Sequence, residues 1–306
     1  MKLEIRIATR KSALALWQAN HVADALKKLA EVRNVELVPL TTRGDEVLDR
    51  SLQKIGGKGL FIKELEIAIE AGDADIAVHS MKDVPAEMPE GFRIAALLAR
   101  ASPADALVGR NLDGLQQGAR VGSSSLRRQA QLLALRPDIS VEPLRGNVNT
   151  RLKKLEDGQH DAIVLACAGL QRLGFASRIS ETFSPEQMLP AAAQGVIGIE
   201  CRNDRKELLQ VLAQLDHAAT RTTTSAERAV ALRLQADCQS PVAAYAEIDG
   251  ASLCLQALVA SADGRQLIRE QLSGPADEPE TIGISLADKL LDRGAGELLA
   301  QSGTGQ

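Results

Sequence analysis

Four side chains that can ionise or form hydrogen bonds follow a short apolar run in the first third of the chain. Residues 76–78, Ile-Ala-Val, predict a buried strand. The groups that follow it are His79, Ser80, Lys82 and Asp83. Because ligands of open α/β sheets bind at the carboxyl ends of strands, this spacing predicts a functional site. For this segment alone, a strand that leaves the core into a solvated loop is an equally good interpretation.

Serine and arginine follow a second predicted strand, in the middle third. Residues 122–125, Gly-Ser-Ser-Ser, open a predicted helix whose first turn holds Arg127 and Arg128. Backbone N–H groups and hydroxyls at a helix N-terminus bind anions, and neighbouring guanidiniums complete such a site. Arginine in a first turn opposes the helix dipole, which favours a functional reason for its position. The alternative is a serine N-cap with two solvated arginines.

Further arginines stand at the ends of other predicted strands, in a chain whose formal net charge is -4. They are Arg10, Arg145, Arg151 and Arg172. We expect the loop ends that carry them to face one cleft. This concentration of guanidiniums favours a small ligand with several carboxylates, because arginine binds carboxylates in bidentate fashion.

One of the four cysteines differs from the others in its surroundings. Cys238 lies in a polar turn, 236–241, between a predicted helix and a predicted strand. The other three cysteines lie in apolar runs typical of the protein core: Cys167, Cys201 and Cys254. No pair has the spacing of a metal site, and we expect no structural disulfide. Cys238 is therefore a candidate nucleophile or attachment point, with an exposed thiol of no function as the alternative.

Composition excludes several classes of function. The 306 residues include 36 Lys and Arg against 40 Asp and Glu, so no overall charge attracts nucleic acid. Aromatic residues, at 2%, offer few platforms on which bases could stack. No apolar run approaches the roughly 18 residues that a membrane helix needs. The N-terminus lacks a signal-peptide pattern, so we expect a soluble, cytoplasmic protein.

The elements that must position these residues alternate between strand and helix through the first two thirds of the chain. This order predicts an α/β fold with parallel sheets and covering helices, and the length predicts two or three domains. From about residue 220 the pattern changes to a helix at 226–235 and three alternating strands, closed by one helix at 282–299. We therefore predict a separate α+β module at the C-terminal end.

Taken together, the motifs of this chain resemble those of one known family, in the same order and from the first strand to the last helix. They are Thr9–Ser12, Leu16–Gln18, Thr42–Asp45, Gly56–Phe61, His79–Pro85, Gly122–Arg128, Leu144–Val148, Thr150–Leu152 and Cys238–Gln239 with Pro241. The family that they resemble is porphobilinogen deaminase, also called hydroxymethylbilane synthase.

The resemblance implies an architecture of three domains. Two are periplasmic-binding-protein-like α/β lobes with mainly parallel sheets, and the third is a small C-terminal α+β domain that carries the cofactor. The implied boundaries are 1–98 with 195–216 for domain 1, 99–194 for domain 2 and 217–306 for domain 3.

The resemblance also implies the activity. The family's transferases condense four porphobilinogen molecules head to tail, with loss of four ammonia, into 1-hydroxymethylbilane for tetrapyrrole and heme biosynthesis. They build the product on a covalent dipyrromethane cofactor, one per chain, whose thioether would here be on Cys238. The implied chain is a cytoplasmic monomer without nucleic-acid or membrane partners, which could hand its product directly to the next enzyme of the pathway.

Family positions assign roles to individual residues. The implied catalytic group is Asp83, whose carboxylate would stabilise positive charge at a pyrrole N–H and move protons. Residues implied to bind the cofactor are Cys238, Lys82, Asp83, Ser124, Arg127, Arg128, Arg145 and Gly146. Those implied to bind substrate are Arg10, Ser12, Lys54, Lys58, Ser80, Arg151, Arg172 and Gln194. No metal is implied.

The chain departs from the family pattern at several positions. Ala236 and Asp237 stand before the thiol, and Ala193 stands at a proposed hinge, where the family has glycine. A glycine at positive φ replaced by alanine or aspartate costs roughly 1–2 kcal/mol. Asp237 would also raise the pKa of the neighbouring thiol.

Two other classes of protein share part of this pattern. A two-lobed binding protein or effector-sensing domain would have the lobes and the anion loops, but it would need neither Asp83 nor a loop thiol. A thiol hydrolase would pair Cys238 with His79, although a histidine at such a position is more often a structural hydrogen-bonding group.

Overall fold

The computed structural model describes residues 2–42, 62–237 and 239–304. They form two compact units, Met1–Arg100 with Val196–Arg221 and Ala101–Gly195 with Thr222–Gln306. The described residues hold two sheets of five strands and one of three. No helix within these ranges is long and apolar enough to cross a membrane. The division into three domains stays a prediction.

The first unit is built on a sheet with the strand order β2-β1-β3-β10-β4. Its strands are β1 (Leu3–Arg10), β2 (Val32–Leu40), β3 (Ile76–Ser80), β4 (Phe92–Leu97) and β10 (Ile197–Arg202). Strands β2, β1 and β3 run parallel, as the alternating pattern predicts, and β10 pairs antiparallel with β3 and β4. The carboxyl ends of β1 and β3 therefore lie at the same edge of the sheet.

Helices of the first unit cover this sheet. They are α1 (Ala13–Leu26), α2 (Lys63–Glu70) and α6 (Lys206–Ala213). α1 packs on β1 through Ala19, Val22, Ala23 and Leu26, an apolar stripe with helical spacing. Burial of a Val or Leu side chain contributes roughly 1.5–3 kcal/mol, so the stripe holds the start of α1 beside the end of β1.

The second unit contains a sheet with the strand order β7-β6-β8-β5-β9. Its strands are β5 (Asp105–Val108), β6 (Arg120–Gly122), β7 (Ser140–Glu142), β8 (Ala162–Ala166) and β9 (Ile179–Thr182). Helices α3 (Leu126–Leu135), α4 (Val148–Glu156) and α5 (Cys167–Arg172) follow β6, β7 and β8. Because those three strands are parallel, the loops after them lie at one edge of the sheet.

The antiparallel sheet of the second unit follows the order β11-β12-β13. Its strands are β11 (Val242–Asp249), β12 (Ser252–Ala260) and β13 (Leu267–Pro275). The helices that pack on it are α7 (Ala218–Arg233), α8 (Pro279–Asp292) and α9 (Ala295–Thr304). Alternate residues of β12, Leu253 and Leu255 among them, form a core with Leu286 and Leu290 of α8. The predicted small α+β module with three strands is confirmed.

Three predictions about individual elements are wrong. The closing helix is two helices, because Gly294 adopts φ +91 after α8 and ends it. The helix predicted at 226–235 begins at Ala218, since packing of buried threonines such as Thr220 and Thr224 outweighs their low helix propensity. Cys167 begins α5 instead of ending the preceding strand.

Backbone φ angles show which of the positions where the family has glycine, Ala193, Ala236 and Asp237, are strained. Apart from glycines, Ala193 (φ 59) and Gln235 (φ 53) are the described residues with positive φ. Ala193 therefore occupies a left-handed conformation that glycine would adopt without strain. Ala236 and Asp237 have negative φ, so the strain anticipated before the thiol is absent there.

Candidate functional site

A small cavity of about 80 Å³, open to solvent, lies at the ends of β1 and β3 in the first unit. Its polar lining consists of Arg10, Ser12, Gln18, His79, Ser80 and Asp83. The predicted candidates Arg10, Ser12, Ser80 and Asp83 thus meet in one place, although two come from the junction of β1 and α1 and two from a segment about 70 residues later.

A single turn of 3-10 helix, Met81–Asp83, places the carboxylate of Asp83 at the surface. The turn is anchored by Met81, whose side chain is buried and whose N–H donates to the carbonyl of Val196. Gly198 on β10 makes room for it, because a Cβ there would lie 2.1 Å from the Met81 sulfur. Asp83 is therefore presented by a rigid turn and remains accessible to a ligand.

Gln18 is a site residue that was not among the predicted ones. Its Nε2 donates to Ser80 Oγ at 2.8 Å, and it lies on the buried face of α1. Ser12 caps the same helix, accepting from the Ala15 N–H at 3.4 Å. The available signal was a polar residue in the apolar stripe of α1, one helical turn before Val22.

His79 and Glu200 form a buried hydrogen-bonded pair at this cavity. His79 Nε2 is 2.7 Å from Glu200 Oε2 on β10, and both side chains are shielded from solvent. Burial and the adjacent Glu200 raise the pKa of Glu66 on α2 to about 7. His79 is therefore a structural hydrogen-bonding group, which removes the support for its role in a thiol hydrolase. Glu66 and Glu200 carried no recognisable signal in the sequence.

The anion loops of the second unit are joined to each other. Ser124, in the loop after β6, accepts from the Leu144 N–H at 2.9 Å and donates to its carbonyl at 3.0 Å. Asn147 caps α4 by accepting from the Thr150 N–H. Arg151 Nε then donates to the Gly146 carbonyl at 2.7 Å, which holds the Arg145–Asn147 turn against the helix.

At two positions in or beside these loops, only glycine fits for steric reasons. Gly146 adopts φ +113, and a Cβ there would lie 2.7 Å from Thr150 Cγ2. At Gly122, a Cβ would come within 3.0 Å of His160 and Ile163. Larger residues would displace the loops that carry Ser124 and Arg145.

Arg127 and Arg128 are buried, with exposures of 4% and 6%. Arg128 donates through Nε and Nη2 to Asp105 Oδ1 at 2.9 and 2.6 Å, and Arg127 Nη1 lies 2.8 Å from Asp105 Oδ2. The alternative of two solvated arginines is therefore wrong. Asp105 supplies the negative charge that offsets their unfavourable position in the first turn of α3.

Two more predicted residues, Arg172 and Gln194, also lie in the second unit. Arg172 Nη2 donates to the Gly195 carbonyl at 2.7 Å, and burial lowers the pKa of its guanidinium to about 10. Gln194 is fully buried and donates to Pro103 O at 2.6 Å and to Asp105 Oδ1 at 3.0 Å. It thus shares a carboxylate with the two buried arginines.

Some predicted site residues lie outside the described residues, namely Lys54, Lys58 and Cys238. The residues beside position 238 are described. Asp237 Oδ1 accepts from the Gln239 N–H and from the Ser240 hydroxyl, both at 2.9 Å. Lys82 is half-buried in the turn that carries Asp83. Among the described residues, no cluster of His, Cys, Asp or Glu could hold a metal ion.

Comparison with known proteins assigns the chain to a family. A family profile described as porphobilinogen deaminase, dipyromethane cofactor binding domain, matches residues 5–210, and the profile of the C-terminal domain of the same family matches 221–292. Among solved structures, a TRAP periplasmic solute binding protein from Desulfovibrio salexigens aligns over 71% of this chain and 73% of its own, with a TM-score of 0.42 and 15% identity.

Curated relatives match over nearly the full length. A porphobilinogen deaminase of Stenotrophomonas maltophilia (strain R551-3) is 56% identical over 298 residues, which cover 96% of this chain and 98% of that protein. One of Xanthomonas axonopodis pv. citri (strain 306) is 55% identical over 300 residues, covering 97% and 99%. The chain belongs to the porphobilinogen deaminase (hydroxymethylbilane synthase) family, the transferases that polymerise porphobilinogen with a dipyrromethane cofactor in porphyrin and heme biosynthesis.

Proposed function

We propose that Asp83 is the catalytic residue of this porphobilinogen polymerase. The observation that carries the proposal is the cavity that brings Asp83 together with Arg10, Ser12 and Ser80. A carboxylate at the surface of such a cavity can accept a hydrogen bond from a pyrrole N–H, stabilise positive charge on the ring and take up a proton. Arg10 would bind a ring carboxylate, and the Ser12 and Ser80 hydroxyls would orient it.

The arginines of the second unit suit a ligand with many carboxylates. Two linked pyrroles with acetate and propionate side chains carry four negative charges. Arg145 and Arg151 are half-buried beside Ser124 and Gly146, where guanidinium and backbone N–H groups can bind such charges. When bound, dipyrromethane supplies the ring to which the first porphobilinogen is joined. Lys82, Ser124, Arg127, Arg128, Arg145 and Gly146 are proposed to hold it, together with Asp83.

A further set of residues is proposed to bind the incoming substrate. They are Arg10, Ser12, Ser80, Arg151, Arg172 and Gln194, with Lys54 and Lys58 as further predictions. The low pKa of Arg172, about 10, still leaves it charged at neutral pH. Its guanidinium is therefore available as a cation in a largely desolvated position, where a carboxylate is bound strongly.

Cys238 is proposed as the point of covalent attachment. The other cysteines are poor nucleophiles by comparison. Burial raises the pKa of the Cys167 thiol, and it raises the pKa of the Cys201 thiol to about 11. The Cys254 sulfur lies within a β-strand and accepts from Gln271 Nε2 at 3.1 Å. Thiolate formation at Cys167 and Cys201 is thus hindered by burial.

The experiment is incubation of the apo-protein with porphobilinogen, followed by intact mass under denaturing conditions, peptide mapping and measurement of released ammonia. We expect a two-pyrrole adduct on Cys238 and continuous ammonia release. Cys238→Ser should fold but acquire no adduct, because a hydroxyl is a far weaker nucleophile. An adduct on Cys167, Cys201 or Cys254 would contradict the assignment, and no ammonia from the wild type would contradict the function.

The cellular setting is proposed from the family resemblance. We infer a monomeric, cytoplasmic enzyme that could pass its unstable linear product to the next enzyme of the pathway. Size-exclusion chromatography with light scattering tests the oligomeric state.

A further inference from the structure

We propose that Asp105 is a positioning residue for the anion site of the second unit, where one buried carboxylate holds Arg127, Arg128 and Gln194 in place. This inference rests on the proposed function, because those three residues are proposed ligands of the cofactor and the substrate. Asp105 was not among the sequence candidates. It lies at the first position of β5 and is fully buried.

Oδ1 of Asp105 accepts hydrogen bonds, and Oδ2 is in ionic contact with a guanidinium. Oδ1 accepts from Arg128 Nε and Nη2 and from Gln194 Nε2, at 2.6 to 3.0 Å. Oδ2 lies 2.8 Å from Arg127 Nη1. The donors belong to two segments that are more than 60 residues apart, α3 and the 190–195 segment, so the carboxylate joins parts of the chain that local structure cannot hold together.

Backbone carbonyls complete the support of the two arginines. Arg127 Nη1 also donates to Leu189 O at 2.8 Å, and Arg128 Nη1 donates to Val164 O at 3.0 Å. Each guanidinium is therefore held at two or more points. A planar group held in this way loses little freedom when it binds a carboxylate.

The negative charge of Asp105 is a second reason why it positions the two arginines. Two guanidiniums beside one carboxylate leave one net positive charge in the cluster. Burial and Arg128 lower the pKa of Arg127, and Asp105 opposes that shift. Without the carboxylate, two like charges would be buried beside each other, which is costly at low dielectric.

Asp105→Asn distinguishes positioning from simple packing, because the shape stays the same and the acceptors change. An amide carries no negative charge, and its nitrogen would present N–H groups to either Arg127 or Arg128 where a carboxylate oxygen stood. One of the arginines would face an N–H group and move away. Charge-assisted hydrogen bonds of this kind are the stronger class, so the effect on ligand binding should be large.

The control is Asp75→Asn in the first unit. Asp75 is also buried, at 5% exposure, and it too bridges two arginines, Arg6 and Arg205. Neither arginine is a proposed site residue. Loss of the Asp75 carboxylate should therefore reproduce the loss of stability that follows removal of a buried carboxylate, without disturbing the anion site.

The experiment measures how fast apo-protein acquires the two-pyrrole adduct from porphobilinogen, by intact mass over time, together with the melting temperature of each variant. We expect Asp105→Asn to load at least about tenfold more slowly than wild type, whereas Asp75→Asn loads at the wild-type rate despite a similar fall in melting temperature. Equal loading rates of Asp105→Asn and wild type would overturn the inference. Failure of the wild type to load would instead contradict the proposed function.

A second variant covers the case in which Asp105→Asn does not fold. Asp105→Glu keeps the charge but moves both oxygens by one methylene. If Asp105 acts by position, Asp105→Glu should also load more slowly. Loading of Asp105→Glu at the wild-type rate would show that the position of the carboxylate is unimportant.

Discussion

Asp83 and Asp105 are carboxylates in opposite surroundings, and the difference determines what each can do. Asp83 is exposed on a single turn at the rim of a cavity, so a ligand can reach its oxygens. Asp105 is fully buried and its oxygens face arginine and glutamine, so it acts through those groups. A buried carboxylate with such partners is held in one position, whereas a proton-transferring one needs access to the substrate.

Asp83→Asn is expected to abolish most of the turnover without affecting the fold. The amide keeps the shape, but it removes the negative charge and the proton acceptor, which is worth roughly 10²–10⁴ in rate. The melting temperature should barely change, because the side chain is exposed. The measurement is steady-state turnover of loaded enzyme. Glu87→Gln, an exposed carboxylate of the same loop, is the control. More than a tenth of the wild-type rate in Asp83→Asn would rule out the assignment.

The backbone conformation of Ala193 leads to a prediction about stability. At φ 59 its Cβ is strained by roughly 1–2 kcal/mol, which glycine would relieve. Glycine also costs about 0.5–1 kcal/mol in chain entropy, and the buried methyl is lost. Ala193→Gly should therefore be nearly neutral in urea unfolding, whereas Ala168→Gly, at a buried position in α5, should cost about 1–2 kcal/mol. Equal losses in the two variants would show that Ala193 is unstrained.

At the scale of elements, the site is made at the junctions where a strand passes into a helix. β1 passes into α1 at Ser12, and β3 passes into the turn that carries Asp83. β6 and β7 pass into α3 and α4 through loops that Ser124 joins. A strand end that is held by its sheet, followed by a capped helix, leaves only a few residues whose positions are not already determined. Many of the side chains proposed to be functional occupy those few positions.

The packing of α2 on β3 and β10 predicts a dependence of stability on pH. The pKa of Glu66 is raised from 4.5 to about 7, first by burial and then by Glu200, with His79 opposing and Glu70 adding to the shift. Since the folded state holds this proton more tightly than the unfolded chain does, the contribution to stability is present below about pH 4.5 and is lost as the pH rises through about 7.

Glu66→Gln does not titrate and should escape that loss. We expect its melting temperature relative to wild type to become more favourable between pH 5 and pH 8. Glu36→Gln, which removes an exposed carboxylate from β2 of the same unit, controls for the loss of a charge. A melting-temperature difference between Glu66→Gln and wild type that does not change with pH would contradict the raised pKa.

At the scale of the whole molecule, the sequence predicted the classes of element and the four candidates that line the cavity, because strand ends are local patterns. The strands, the antiparallel module and the cavity with Arg10 and Asp83 follow from such patterns. Asp105, Glu66 and Glu200 could not be predicted, since their partners lie far away in the chain. The break at Gly294 was missed because one glycine in an apolar helical pattern can also be tolerated within a helix.

Long-range packing within the second unit leads to the last prediction. The turn between β12 and β13 lies on α3, the helix that carries Arg127 and Arg128. Gln129 Nε2 donates to the Ala262 carbonyl at 3.1 Å, and a Cβ on Gly264 would lie 2.4 Å from the Ala130 carbonyl oxygen. The antiparallel module therefore supports the same helix that Asp105 holds from its other end.

Gly264→Ala should separate the turn from α3 and destabilise the protein by about 1–3 kcal/mol beyond the strain of its positive φ. Gly250→Ala is the matched control, because Gly250 also has positive φ, in the turn between β11 and β12, but a Cβ there would meet nothing within 4 Å. The measurement is the urea midpoint of each apo-protein, followed by the rate at which it acquires the adduct. Since movement of the turn also disturbs α3, Gly264→Ala should load more slowly and Gly250→Ala at the wild-type rate. If both variants lose the same stability and load alike, the contact of the turn with α3 contributes nothing, and Arg127 and Arg128 are positioned by the sheet alone.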